Sequence, residues 1–231
     1  MIDCVLVNGD SYSACGGHIT KVYGNWIAEH FGVPLVNLSV EGSSNNRILR
    51  SSIEWLANTE YKNPLVIIGW SFLRRAEVCY YGNDPALINR IPDRNKTESR
   101  MITLDYLLDA GKATLEQKAL LIDSSTLDKP LLDFYTDLYL FSKLLELKNI
   151  NYFFYSAAKN TDSEVSCYPA INVLQIVKDV VNNPCIFQLH NHCTMDWALV
   201  NDPECSRDTG HLSLNGHKRW AEKLLTLIKV L

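Results

Sequence analysis

The chain has 231 residues, 47% of them hydrophobic and 21% charged, with 11 Gly and 8 Pro, a composition that excludes disordered and fibrous chains. A formal net charge of -4 supplies no basic face, which excludes a general affinity for nucleic acid or anionic membrane and favours a small-molecule or carbohydrate substrate. At this length a full hydrophobic core can form without disulfides or metals, and no apolar run reaches the roughly 18 residues that a membrane helix needs.

Val5-Leu6-Val7 is an apolar, β-branched run that predicts a buried first strand, and Asn8-Gly9-Asp10-Ser11 ends it in residues suited to a tight turn. Ile19, Val22, Tyr23, Trp26, Ile27 and Phe31 recur at near-helical spacing, and Gly32 closes that helix. Pro34 to Leu38 reads as strand two, followed by a polar loop from Ser39 to Asn45 with Gly42 at its centre. A second amphipathic helix covers roughly Asn46 to Ala57. Leu65 to Trp70 is apolar almost throughout, as central parallel strands are.

From about Phe72 to Asp128 the pattern is irregular, with turn residues at Asn83-Asp84-Pro85 and Pro92-Asp93-Arg94-Asn95 and a short helix near Ile102 to Leu108. Such a segment, leaving the carboxyl end of strand three, forms a lid or substrate wall, or else a peripheral cap. A long helix follows from about Pro130 to Leu147, then strand four at Tyr152 to Tyr155 and a helix over Ala170 to Val181. Cys185 to Leu189 reads as a fifth strand or a docked loop, and a last helix begins near Leu214 with Ser213 as its N-cap. Strands alternating with helices predict right-handed crossovers. The expected fold is therefore α/β, a three-layer α/β/α sandwich on a central parallel, flavodoxin-like five-stranded sheet, with residues 1–231 forming one domain and an insertion at about 72–128.

Ser11 is the first candidate for chemistry, because ligands of open α/β sheets bind in the crevice beyond the carboxyl ends of the strands. A hydroxyl there needs a base. Asp208 and His211 lie three residues apart just before the last helix, and an imidazole oriented by a carboxylate can take a proton from serine. The competing reading is that Asp208 and His211 only decorate a helix N-terminus. His190, His192 and Cys193 have poor spacing for zinc, so no metal is expected, and no cofactor either. Arg74 and Arg75 are candidates to bind a carboxylate, phosphate or sugar hydroxyls at the mouth of the site, or to form a solvated pair that holds the insertion down. His217 falls in the first turn of the last helix, while His18 and His30 belong to helix one without a partner in sequence. Seven scattered cysteines with no Cys-x-x-Cys pair, and no charged-then-apolar leader, are expected of reduced thiols in a cytoplasmic, intracellular or virion-associated protein.

Gly9-Asp10-Ser11 after strand one, Gly42 after strand two, Gly69-x-Ser71 after strand three and Asp208-x-x-His211 before the last helix together resemble the SGNH, or GDSL-like, hydrolase superfamily. The resemblance runs in the same order over nearly the whole chain. It implies Ser11 as nucleophile, His211 as base, Asp208 as the residue that orients His211, and an oxyanion hole built from the N–H groups of Ser11 and Gly42 plus a side-chain amide. The third block departs from the family, having Ser71 where asparagine is usual, so the third donor is expected to be Ser71 or, from behind Gly42, Asn45 or Asn46. Tyr12 stands where leucine is common and is expected to pack beneath the turn. The implied function is a serine esterase that hydrolyses a small acyl ester, with a carbohydrate O-acetyl group as the expected substrate. The alternatives are acyl transfer at the same site and a binding or assembly protein whose active site has decayed.

Overall fold

A computed structural model describes residues 1–14, 19–73, 75–79, 84–88, 101–115, 117, 128–157, 174–187, 193–205 and 211–228. Its main sheet contains β1 (Cys4–Asn8), β2 (Leu35–Asn37), β3 (Pro64–Trp70), β6 (Asn151–Ser156) and β7 (Ile186–Phe187), all parallel, in the order β2-β1-β3-β6-β7. This is the flavodoxin-like order, and the chain changes direction across the sheet between β1 and β3. That reversal opens the crevice into which the turn after β1 projects.

The strands are apolar on both sides because both sides are covered. Leu6, Val66, Ile68, Trp70 and Phe154 face α2 (Asn45–Asn58), α5 (Asp128–Leu147) and α6 (Gln175–Val181). Val5, Val7, Leu65, Ile67, Phe153 and Tyr155 face α1 (Tyr23–Phe31), α7 (Thr194–Asn201) and α8 (Leu214–Ile228). The two-residue side-chain period of a strand thus sorts neighbours in sequence into two separate cores. Gly32 closes α1 with φ 67°, the left-handed conformation that favours glycine. None of the described helices is long and apolar enough to cross a membrane.

Between β3 and α5, β4 (Glu77–Cys79) and β5 (Met101–Thr103) form an antiparallel pair, accompanied by α3 (Pro85–Ile88) and α4 (Leu104–Asp109). Val78, Leu87, Ile102, Leu104 and Leu107 make a small core of their own. The helix expected from Ile102 begins instead at Leu104, because Ile102 pairs with Val78 across the two-stranded sheet. The first residues expected in the helix from Ala170, and the end expected of strand five at Gln188 and Leu189, lie outside the described residues.

Candidate active site

The end of β1 is fixed from below before Ser11 is reached. Buried Asn8 donates through its amide to the Ile48 carbonyl at 3.0 Å and to the hydroxyls of Ser51 and Ser52, and it accepts from the Gly9 N–H at 2.9 Å. A Cβ on Gly9 would come within 2.6 Å of Ser13 Oγ and 2.9 Å of the Gly69 carbonyl, so glycine is what lets the turn settle onto β3. The N–H groups of Ser13 and Ala14 both donate to the Asp10 carbonyl, which winds Ser11 to the rim of the crevice. Among the described residues no group accepts the Ser11 N–H.

The hydroxyl of Ser11 lies 2.7 Å from His211 Nε2. His211 arrives from the other end of the chain, directly before α8, and its ring stacks on Tyr12 with centroids 4.7 Å apart and planes 10° apart. Tyr12 therefore forms a wall for the imidazole instead of simply filling space beneath the turn. The segment that carries His211 is tied down by Asp202, whose carboxylate accepts from the Ser213 N–H at 2.7 Å and from the Ser213 hydroxyl at 2.8 Å. Asp208 lies outside the described residues.

Ser71 is fully buried at the end of β3. Its hydroxyl donates to Asp10 Oδ2 at 2.6 Å. Arg75 closes a triangle with this pair, donating to Asp10 Oδ2 at 3.2 Å and to Ser71 Oγ at 2.9 Å. Asn45, the first residue of α2, grips the Ser71 backbone, accepting from its N–H at 2.7 Å and donating to its carbonyl at 3.2 Å. That carbonyl uses one of the two amide protons. Gly42 sits in the turn between β2 and α2 at φ 71°, a conformation that favours glycine. Asn46 is exposed.

Residues 15–171 match a family of unknown function, DUF6071. The chain belongs to that family. No curated protein matches the sequence. Among solved structures, the psychrotrophic esterase EstA from Pseudoalteromonas sp. is 14% identical over 99% of this chain and 97% of its own, with a TM-score of 0.51. TesA is 12% identical over 99% of both chains, with a TM-score of 0.50. The acetyl xylan esterase AlAXEase is 15% identical over 96% of this chain and 98% of its own, at 0.48. The fold of this DUF6071 chain is that of the SGNH, or GDSL-like, hydrolases.

The electrostatics of the DUF6071 site centre on Asp10, which is fully buried. Burial pushes its carboxyl above the usual range, while the Ser71 hydroxyl, the Arg75 guanidinium and the Tyr12 N–H pull it back. Neither Asp10 nor Arg75 is distinguishable in sequence as half of an ion pair, since they lie 65 positions apart. The carboxylate that Arg75 binds is the protein's own. Arg74, His18, His190 and His192 lie outside the described residues. Cys193 caps α7, its sulfur accepting from the Asp196 N–H at 3.4 Å, and no cluster of three metal-ligating side chains occurs among the described residues. His30 is exposed, whereas His217 is buried against Tyr23 with its pKa lowered to about 4, chiefly by that burial.

Proposed function

We propose that the protein is a serine esterase acting on small acyl esters, with a carbohydrate O-acetyl group as the substrate to try first. The observation that carries this reading is the 2.7 Å contact between Ser11 Oγ and His211 Nε2. It is the reach required for a base to take the hydroxyl proton as oxygen attacks a carbonyl. His211 then returns the proton to the leaving alkoxide, and a water activated by the same imidazole releases the acyl group. Asp208 is assigned the other ring nitrogen, where a carboxylate fixes the tautomer and stabilises the imidazolium. The negative charge that develops on the carbonyl oxygen is assigned to the Ser11 N–H, the Gly42 N–H and the remaining Asn45 amide proton. Such donors act because they already point at the place where charge appears. The segment at about 72–128 supplies a wall of the site in this reading, anchored to α2 by the 2.9 Å ion pair of Arg50 and Glu77.

The test is hydrolysis of p-nitrophenyl acetate together with labelling by a fluorophosphonate probe. The wild type is expected to cleave the ester and to take up the probe at Ser11, and Ser11→Ala is expected to lose both. Labelling should also disappear in His211→Ala. Undiminished hydrolysis by Ser11→Ala overturns the assignment.

A further inference from the structure

We propose that Arg75 is a positioning residue of this site, holding the Asp10 carboxylate and the Ser71 hydroxyl in one fixed triangle directly behind the nucleophile. The inference rests on the serine-esterase reading for its function but on independent contacts for its geometry. Asp10 precedes Ser11 and its carboxylate accepts from the N–H of Tyr12, which follows Ser11, so holding that carboxylate in place helps to hold the backbone on both sides of the reactive oxygen. That carboxylate has no access to water and is held by three donors, the Tyr12 N–H at 3.1 Å, the Ser71 hydroxyl at 2.6 Å and Arg75 Nη1 at 3.2 Å.

Among the described residues the guanidinium is the one cation paired with it. The same Nη1 reaches both Asp10 and Ser71, while the guanidinium carbon lies 4.6 Å from the centroid of the Phe72 ring. The Arg75 N–H also donates to the Phe72 carbonyl at 3.3 Å, so the side chain springs from a tight turn at the end of β3. From Ser71 the connection continues through the Asn45 side chain to the N-terminus of α2. Arg75 thus joins the loops after β1 and β3 and the start of α2, three of the elements that frame the crevice.

There is also an electrostatic need. A bare carboxylate one residue from Ser11 would repel the oxyanion formed on the Ser11 adduct, and a fixed neighbouring cation offsets that field. Among the described residues, the other ionisable groups that face Asp10 are His211 from the segment before α8 and the phenols of Tyr12, Tyr23 and Tyr155 from the β1 turn, α1 and β6. Of these only His211 can carry a positive charge.

The experiment compares wild type, Arg75→Met and Arg75→Lys in p-nitrophenyl acetate hydrolysis and fluorophosphonate labelling across pH. In Arg75→Met, kcat is expected to fall about 100-fold with KM nearly unchanged, the cost of a nucleophile misplaced by about 1 Å. The acidic limb of kcat/KM should move to higher pH, because Asp10 without its counter-charge takes up a proton more readily. Arg75→Lys, which keeps the charge but not the planar fork, should recover part of kcat and most of the limb. Three results overturn the proposal: unchanged kinetics, a rise in KM with kcat retained, or equal losses in both variants with the limb unmoved. If Arg75→Met does not fold, the Arg75→Lys limb and kcat decide. If the wild type neither cleaves the ester nor takes the probe, the esterase reading falls, and a crystal structure of Arg75→Met tests the positioning alone. A Ser11–His211 contact opened beyond hydrogen-bond reach then supports it, and one left at its present length overturns it.

Discussion

A serine hydroxyl has one proton to give, and at Ser71 Asp10 receives it. The amide of Asn45 has two, of which the Ser71 carbonyl uses one. Under the proposed esterase reading, this difference favours Asn45 over Ser71 as the side-chain oxyanion donor. Asn45→Ala is expected to lower kcat by about 10²–10³ with little change in KM, the usual cost of one such donor. Asn45→Asp can still accept from the Ser71 N–H but has no amide proton, so kinetics equally poor in the two variants attribute the loss to donation and not to the clasp. The candidate nucleophile and base were legible because each stands in a short motif at the end of a predicted element. The triangle of Asp10, Ser71 and Arg75 was not. Its members look like a turn residue, a misplaced donor and a surface cation until β1 and β3 lie side by side, and strand pairing leaves no mark on the residues just beyond the strands.

The segment bearing His211 owes its place to α8 and to the end of α7. Asp202, the C-cap of α7, binds the N–H and hydroxyl of Ser213, and the Ser213 hydroxyl accepts from the Gly216 N–H at 3.0 Å. Ser213 was legible as a cap because serine followed by an amphipathic run is a common helix start. Gly216, inside the first turn, follows from a constraint that the sequence does not display. A Cβ there would run into the Asp202 carboxylate. Gly216→Ala should therefore destabilise the fold by about 1–3 kcal/mol in urea unfolding, despite the better helix propensity of alanine. α7 itself had no clear signal, since Met195, Trp197, Ala198, Leu199 and Val200 leave no single apolar stripe. β4 and β5, at three residues each, are too short to display a two-residue period.

Across the whole molecule, acid sensitivity should have a component at His217. Its pKa in the fold is about 4 against 6.5 for the free side chain, with burial as the main cause. The unfolded chain therefore binds this proton more tightly than the folded one, so the contribution is full above about pH 6.5 and is lost as pH falls towards 4. The gap is worth roughly 3 kcal/mol at about 1.36 kcal/mol per pH unit. Urea unfolding of wild type and His217→Gln from pH 7 to pH 4 measures it. The difference in their stabilities should shift in favour of the variant as pH falls, and a constant difference would refute the assignment. The layered fold was legible at this scale because alternating elements admit few topologies, and the observed strand order is the expected one. That same order has a consequence for how the site comes into being. Ser11 follows the first strand and His211 precedes the last described helix, 200 positions further along the chain. A growing chain can pair β1, β2 and β3 long before the imidazole has been synthesised. Through all those stages Ser11 has no imidazole beside it, and under the proposed reading it would gain its base only when the α8 segment docks beside α1, so that the chemistry would be withheld from every incomplete form of the protein.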